Sequence, residues 1–300
     1  MYWIILAIAA PALYAISNFF DRFILQKRIK DPFVLTAIGG LLAFGFGFLF
    51  WAIQLFPVFS GLQMVVLLFA GTLFEIALIP WYKAVSLDDA SRVAPLFQSF
   101  SVFALILSYF ILGETLSGLQ LIGFVLILSG AFFLSVDKFS RKIFSLRPSF
   151  WYMMLSSFLF ALPVVLFKLV IIDQSFWPAL SYELMGGLIG AVLVILYLVF
   201  SRRVNSLADL KFKSGTFFIL VANEVIYLVG HVLNFLAVSL APVALVSALG
   251  GTQPLFMLVF GVILSVFWPK IIKEDIAKKT LLIKLISVLL IFLGCVAISF

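Results

Sequence analysis

Four side chains that can form hydrogen bonds or carry charge recur on one face of the apolar stretch 222–238. At the 100° per residue of an α-helix, Glu224, Tyr227, His231 and Asn234 fall within about 80° of one another, over three turns. Hydrocarbon offers these groups no hydrogen bonds, so the face must point into the protein. The stripe predicts either the polar wall of a translocation pathway or an internal hydrogen-bonded cluster that fixes helix packing.

A second stripe of the same kind lies in an earlier apolar stretch. Glu75 and Tyr82 are seven residues apart, as Glu224 and His231 are, so each pair shares one helix face. We expect Glu75 and Glu224 to face one cavity from two halves of the chain. Because buried carboxylates and imidazoles can exchange protons, Glu75, Glu224 and His231 are candidates for proton coupling. Pro80 predicts a kink that either frees carbonyls for a ligand or is satisfied by neighbouring helices.

Two further ionisable residues occur in apolar stretches of the second half. Glu183 either binds substrate or acts as a gate, or else it pairs with Lys168. For Lys168, pairing or extension of its long side chain to the membrane surface is favoured over a role in transport.

Amide and hydroxyl side chains accompany prolines in two other stretches. Gln98 and Ser101 follow a proline, and Gln253 lies in the sequence GGTQP, residues 250–254. Helices interrupted at matching places in two halves are typical of a transporter binding site, and close packing through small residues is the alternative. GGLIG, residues 186–190, indicates packing. The predicted substrate-binding residues are Glu75, Tyr82, Gln98, Ser101, Glu183, Glu224, Tyr227, His231, Asn234 and Gln253.

The elements that must position these residues are membrane-spanning helices. Of the 300 residues, 65% are hydrophobic and 11% are charged, and the mean hydropathy is +1.27. Soluble domains are roughly half apolar and a quarter charged, so the chain is an integral membrane protein. Ten stretches are long enough to span a bilayer. These segments 1 to 10 are residues 2–21, 32–56, 61–84, 92–112, 117–136, 150–172, 177–200, 215–238, 242–267 and 281–300.

The basic residues predict the orientation of the segments. Nearly all of the 20 lysines and arginines fall in the loops that follow segments 1, 3, 5, 7 and 9. The positive-inside rule places these loops in the cytoplasm and both termini on the other side. The net charge of +7 is explained in this way, and the basic clusters lack the interleaved aromatic residues typical of nucleic-acid binding.

Internal repeats divide the segments into two halves. The sequence AVSL occurs at residues 84–87 and again at 237–240, and LIGFVLILSGAFFLS, residues 121–135, matches LISVLLIFLGCVAIS, residues 285–299. Five segments is an odd number, so the second half must be inverted in the membrane relative to the first. Inverted halves are a common transporter design, with the substrate site between them near the midplane. The predicted units are repeats 1–136 and 150–300, joined by a cytoplasmic linker, 137–149.

One stretch of the first half resembles a known family. Residues 83–135 are similar to the repeat unit of the EamA-type transporters of the drug/metabolite transporter superfamily. The second copy is degenerate, with Phe267 at the place of Glu114. The resemblance rests on Ala84-Val85, Ala94-Pro95-Leu96, Leu112-Gly113-Glu114, Leu116, Gly123 and Gly130.

The resemblance implies a fold and a general activity. It implies two inverted five-helix repeats around a central cavity, and transport, often export, of small metabolites such as amino acids without ATP. Members of the family are often drawn with cytoplasmic termini, whereas the basic residues of this chain favour the reverse orientation.

Several kinds of chemistry are disfavoured by what the sequence lacks. It contains no GxxxxGK[ST] phosphate loop and no HExxH motif, and it has one His and a single Cys, Cys295. An ATPase, a built-in zinc site and an intrachain disulfide are therefore not expected, and no cofactor is predicted.

The sequence therefore predicts a membrane transporter and not an enzyme. We expect it to move a small polar or amphipathic metabolite, such as an amino acid, across the cell (inner) membrane by alternating access, with proton-coupled export as a hypothesis. Its partners would be that small molecule and the lipid bilayer, with no nucleic acid, and a monomer would be sufficient for function. A flippase or scrambler of a lipid-linked substrate is the alternative, and a membrane enzyme or a structural subunit is less favoured.

Overall fold

The computed structural model describes residues 2–29, 31–88, 94–136, 147–201, 214–267 and 278–299. Within these ranges the chain forms α-helices and one 3₁₀ turn, and it contains no strand. The fold is thus that of an all-α integral membrane protein. The α-helices are α1 (Tyr2–Lys27), α2 (Pro32–Ile53), α3 (Gly61–Leu87), α4 (Ser99–Leu112), α5 (Gly118–Ser135), α6 (Pro148–Ile171), α7 (Phe176–Phe200), α8 (Ser214–Leu240), α9 (Val243–Gly250), α10 (Gln253–Phe267) and α11 (Lys278–Ile298).

The predicted spanning segments correspond closely to these elements. Nine helical stretches of the described residues are long and apolar enough to cross a bilayer. Segment 10 corresponds to α11, which has 21 residues as a helix. Of the predicted linker, residues 137–146 lie outside the described residues, as do most of the basic loops, so the predicted orientation stays a prediction.

Three segments differ from the predicted uniform helices. Helix α1 continues to Lys27, six residues beyond the predicted end at 21. Segment 4 begins with a 3₁₀ turn, Ala94–Gln98, before α4 starts. Segment 9 is broken at Gly251 and Thr252 into α9 and α10. The break falls within GGTQP because glycine and a following proline both disfavour a continuous helix.

Polar caps and prolines determine where several helices begin. Asp31 accepts a hydrogen bond from the backbone N–H of Phe33 at 3.0 Å, and Pro32 lies in the first turn of α2. Ser117 and Gln120 form a reciprocal capping box at the start of α5. These caps satisfy backbone N–H groups that the first turn of a helix leaves unpaired.

Glycines allow α3 and α7 to cross almost in backbone contact. A Cβ at Gly71 would lie 1.7 Å from the carbonyl oxygen of Glu183, and one at Gly186 would lie 2.2 Å from that of Leu68. Real Cβ atoms essentially never approach another atom within 3.0 Å, so only glycine fits at these positions. This close approach agrees with the packing role predicted for residues 186–190.

Helices α5 and α11 pack against each other through a reciprocal set of contacts. A Cβ at Gly123 would lie 2.8 Å from the carbonyl oxygen of Gly294, and one at Gly130 would lie 2.6 Å from that of Ser287. In the aligned repeat sequences Gly123 corresponds to Ser287 and Gly130 to Gly294. Each residue therefore contacts the counterpart of the other, and the two helices run antiparallel.

Candidate functional site

A small cavity between four helices brings several predicted site residues together. Its volume is about 40 Å³, which is enough for a few water molecules. We call this cavity the acidic chamber. It is lined by Ala43 of α2, Gly71, Phe74 and Glu75 of α3, Glu183, Leu184 and Gly187 of α7, and Glu224, Tyr227, Leu228 and His231 of α8.

The most buried contact in the acidic chamber joins α7 and α8. Nε2 of His231 lies 2.9 Å from Oε2 of Glu183, and the two side chains are only 4% and 2% exposed. The pair is a hydrogen bond when the imidazole is neutral and an ion pair when it is protonated. It positions Glu183 towards α8, so the pairing of Glu183 with Lys168 that the sequence left open is not the one adopted.

Glu75 occupies space that glycines of α2 and α7 leave free, whereas Glu224 only approaches Gly39. A Cβ at Gly190 would lie 2.4 Å from the Cβ of Glu75, and one at Gly39 would make an ordinary contact of 3.7 Å with Oε2 of Glu224. Within the described ranges, Oε2 of Glu75 is buried and has no hydrogen-bond partner. Buried polar atoms are nearly always paired, so this oxygen marks a place where a donor is missing.

Aromatic rings form one side of the acidic chamber and the layer behind it. The imidazole of His231 lies between the rings of Tyr227, at a centroid distance of 5.9 Å, and Phe235, at 4.4 Å. Phe74 meets His231 edge to face at 5.4 Å, and Tyr14 of α1 backs Tyr227 at 5.3 Å. These contacts hold the rings in place, because each is packed against another ring on a different turn or helix.

Asp21 is an acidic residue near the site that the sequence reasoning missed. Its Oδ1 accepts a hydrogen bond of 2.7 Å from the side-chain amide of Asn223, and it is an electrostatic neighbour of Glu224. The predicted segment 1 ends at this residue, next to a basic loop. Its position inside α1 follows from the six extra residues of that helix. The available signal was Asn223, a polar residue directly before Glu224 in an apolar stretch.

Half of the predicted binding residues lie outside the acidic chamber. The ring of Tyr82 packs edge to face on Phe33 at 5.7 Å. Ser101 donates a hydrogen bond of 2.8 Å to the carbonyl oxygen of Ser247, which joins α4 to α9. Three more, each half-buried, are Gln98 at the end of the 3₁₀ turn, Asn234 on α8 and Gln253 at the start of α10. A binding role for these residues stays a prediction.

A separate ionic group, which we call the Glu114 bridge, links the two halves of the chain. Oε1 of Glu114 lies 2.8 Å from Nζ of Lys168, and its Oε2 accepts a 2.7 Å hydrogen bond from the backbone N–H of Val243. Lys168 also donates to the carbonyl oxygen of Ala241. One carboxylate thus joins the α4–α5 connection to α6 and to the start of α9. The side chain of Phe267, the counterpart of Glu114, lies outside the described part of the chain.

The fold and the acidic chamber define a class: a multi-pass membrane protein with buried ionisable groups facing a cavity between its helices. Residues 1–136 are similar to the EamA-like transporter family, as their motifs indicated. The match supports a transporter role and no enzymatic one. No curated protein matches the chain.

A solved crystal structure extends the likeness to the whole chain. It superimposes with a TM-score of 0.71 and 13% sequence identity, and the alignment covers 99% of this chain and 97% of the other. At this identity the likeness concerns the fold alone. The alignment includes the second half of the chain, which the family match does not cover, so the whole chain has the fold of that structure.

Proposed function

We propose that the chain is a secondary transporter that moves a small metabolite across the cell (inner) membrane by alternating access, with the acidic chamber as its central site. The observation that carries this proposal is that Glu75, Glu183, Glu224 and His231 line one cavity between the helices. Ionisable groups are expensive at membrane depth and are usually placed along a substrate or ion pathway. The family match of residues 1–136 supports the same reading.

The size of the acidic chamber supports a closed state of such a transporter. Pockets that enclose small molecules have volumes of roughly 300–1,000 Å³. At about 40 Å³ the acidic chamber admits water or one small polar group, and not a whole metabolite. Transport therefore requires a second state in which helices around the chamber move apart.

The packing of the helices supports an inverted repeat as the source of that second state. The reciprocal contacts of α5 and α11 are those expected when a two-fold axis relates the halves. The relation is broken at the chamber, because α3 packs along α7 whereas its counterpart α8 makes few contacts with α2. In the second state α8 would pack along α2, and α3 would separate from α7. This exchange would open the chamber towards the other side of the membrane.

Proton coupling follows from the shortage of positive charge in the acidic chamber. Glu75, Glu183 and Glu224 face a cavity whose one basic side chain is His231. Three ionised carboxylates so close together and out of water repel one another, so protons or a substrate must neutralise them. A substrate that replaces these protons couples its own movement to theirs.

The proposed function is tested in liposomes that contain the purified protein and a pH-sensitive dye. Amino acids, amines, nucleosides and sugars are added in turn, and at least one is expected to drive proton movement. Glu75→Gln and Glu224→Gln should each reduce this movement about tenfold or more, because each removes a proton-binding carboxylate. Asp173→Asn serves as the control, since it removes an exposed carboxylate from the α6–α7 connection. Unchanged proton movement in both glutamine variants would refute coupling through the acidic chamber.

The alternative of a flippase or scrambler is not favoured by the lateral surface of the helices. A groove of about 490 Å³ lies between α1, α8 and α10. Its lining is apolar, and none of the lining residues is a lysine or arginine that could meet a lipid head group. The lining consists of Ile16, Phe19, Phe20, Phe23, Ile219, Phe260 and Ile263.

A further inference from the structure

We propose that the acidic chamber binds a substrate that carries a protonated amine. This inference rests on the transport role proposed above and names the chemical class of its substrate. Three features of the acidic chamber carry it: the balance of charge among the lining residues, the unpaired carboxylate oxygen of Glu75, and the aromatic rings among the lining residues.

A cation would balance the charges around the acidic chamber. Glu183 is paired with His231 at 2.9 Å, which leaves Glu75 and Glu224 without a basic partner among the lining residues. Two lysines of the described ranges are engaged elsewhere: Lys168 contacts Glu114, and Lys83 lies over the rings of two tyrosines. A positively charged group in the chamber would neutralise the two glutamates and lower the cost of their burial.

The hydrogen-bonding groups of the acidic chamber favour a donor over an acceptor. Oε2 of Glu75 is a buried acceptor with no donor among the described residues. An ammonium group has three donors and no acceptor, so it fits beside carboxylates. A carboxylate or phosphate group would bring acceptors to acceptors, and a hydroxyl group would leave the charge uncompensated. Beside ionised glutamates, anionic substrates are therefore disfavoured by both charge and hydrogen bonding, and neutral ones by charge.

The remaining lining residues suit an organic cation more than a metal ion. The rings of Phe74 and Tyr227 line the acidic chamber beside Glu75, and aromatic faces attract ammonium groups. Once the helices around the chamber have moved apart, Ala43, Leu184 and Leu228 would add apolar surface that contacts the body of an amine. In the described part of the chain, no group of three His, Cys, Asp or Glu side chains is arranged to hold a metal ion.

The test uses probes that differ mainly in charge. Isothermal titration of the purified protein compares 2-phenylethylamine with 2-phenylethanol and phenylacetate near neutral pH, and hexylamine tests whether the ring is needed. Both amines should bind, and 2-phenylethylamine should bind about tenfold or more tightly than the alcohol, because a charge-assisted hydrogen bond replaces a neutral one. Phenylacetate should not bind.

Two variants and one control locate the binding site. Glu75→Gln and Glu224→Gln should each weaken amine binding about tenfold or more, because each removes a carboxylate that neutralises the ammonium group. Asp173→Asn should bind the amine as the wild type does. Thermal unfolding of each variant verifies that it is folded, and the second glutamine variant keeps the test decisive where the first does not fold.

Specific results would overturn the inference. It is wrong if neither amine binds, if the alcohol or phenylacetate binds as tightly as the amine, or if both glutamine variants bind the amine normally. The proton-movement experiment separates this failure from failure of the transport role. If an anionic or neutral metabolite drives proton movement that depends on Glu75 and Glu224, the transport role stands and the amine substrate is refuted. If no metabolite drives proton movement, both are refuted.

Discussion

The crossing of α3 and α7 offers a sharp test of the geometry around the acidic chamber. Gly71→Ala adds one methyl group at a point where its Cβ would lie 1.7 Å from the carbonyl oxygen of Glu183. The obstacle is backbone, so no change of side-chain conformation can relieve it. The helices would have to separate by about 1 Å or more to restore an ordinary contact.

The expected cost of this separation is large for a single methyl group. Overpacking of a well-packed interior costs about 1–3 kcal/mol or more. For a chain of this size, each kcal/mol lowers the unfolding temperature by roughly 2–4 °C, so the variant should unfold several degrees below the wild type. Because Gly71 lies against Glu183, the same separation should disturb the contact of Glu183 with His231 and reduce transport.

The measurement is thermal unfolding in detergent, followed by tryptophan fluorescence at one heating rate. Gly45→Ala is the matched control, because it makes the same change in α2 where a new Cβ would meet nothing within 4 Å. Alanine favours a helix over glycine by about 0.5–1 kcal/mol, so the control should match or slightly exceed the wild type. If Gly71→Ala unfolds at the temperature of Gly45→Ala, then α3 and α7 do not cross as described.

Two further substitutions test polar contacts away from the chamber lining, and both are read by thermal unfolding. Glu114→Gln should cost about 3–5 kcal/mol, because it leaves the largely buried Lys168 without its counter-charge, and adding Lys168→Met should recover part of this loss. If the stability lost by the double variant equals the sum of the losses of the Glu114→Gln and Lys168→Met variants, the Glu114 bridge does not form. Asn223→Leu should cost about 1–3 kcal/mol by leaving the carboxylate of Asp21 without its donor, and a stability equal to that of the wild type would contradict the α1–α8 contact.

Much of the fold was predictable because bilayer thickness sets the length of apolar segments. An interruption of segment 9 was one of the two alternatives that the sequence left open, since glycines and a proline adjoin in GGTQP. The end of α1 was not predicted, because the charge of Asp21 indicates the end of an apolar segment until its partner Asn223, about 200 positions later, is known. Local sequence rules do not contain such distant partners.

The candidate site was predictable where one helix face determines it. The 3.6-residue period put Glu224, Tyr227 and His231 on a common inward face, and all three line the acidic chamber. The period could not exclude Tyr82, which shares a face with Glu75 but lies about two turns, or roughly 10 Å, along the axis. The partner of Glu183 could not be predicted, because it depends on how closely α3, α7 and α8 approach one another. That distance is set by several glycines of the α3–α7 crossing acting together.

The packing of α5 against α11 has a consequence for how the chain is made. The face of α5 that contains Gly123 and Gly130 is completed by α11, which is synthesised some 160 residues later. At typical translation rates of about 5–20 residues per second, this face waits roughly 8–33 s for its partner. During that interval the narrow glycine groove must be shielded by lipid, by another helix or by the insertion machinery. The first half, although it carries the family motifs, therefore reaches its final packing only after the second half has entered the membrane.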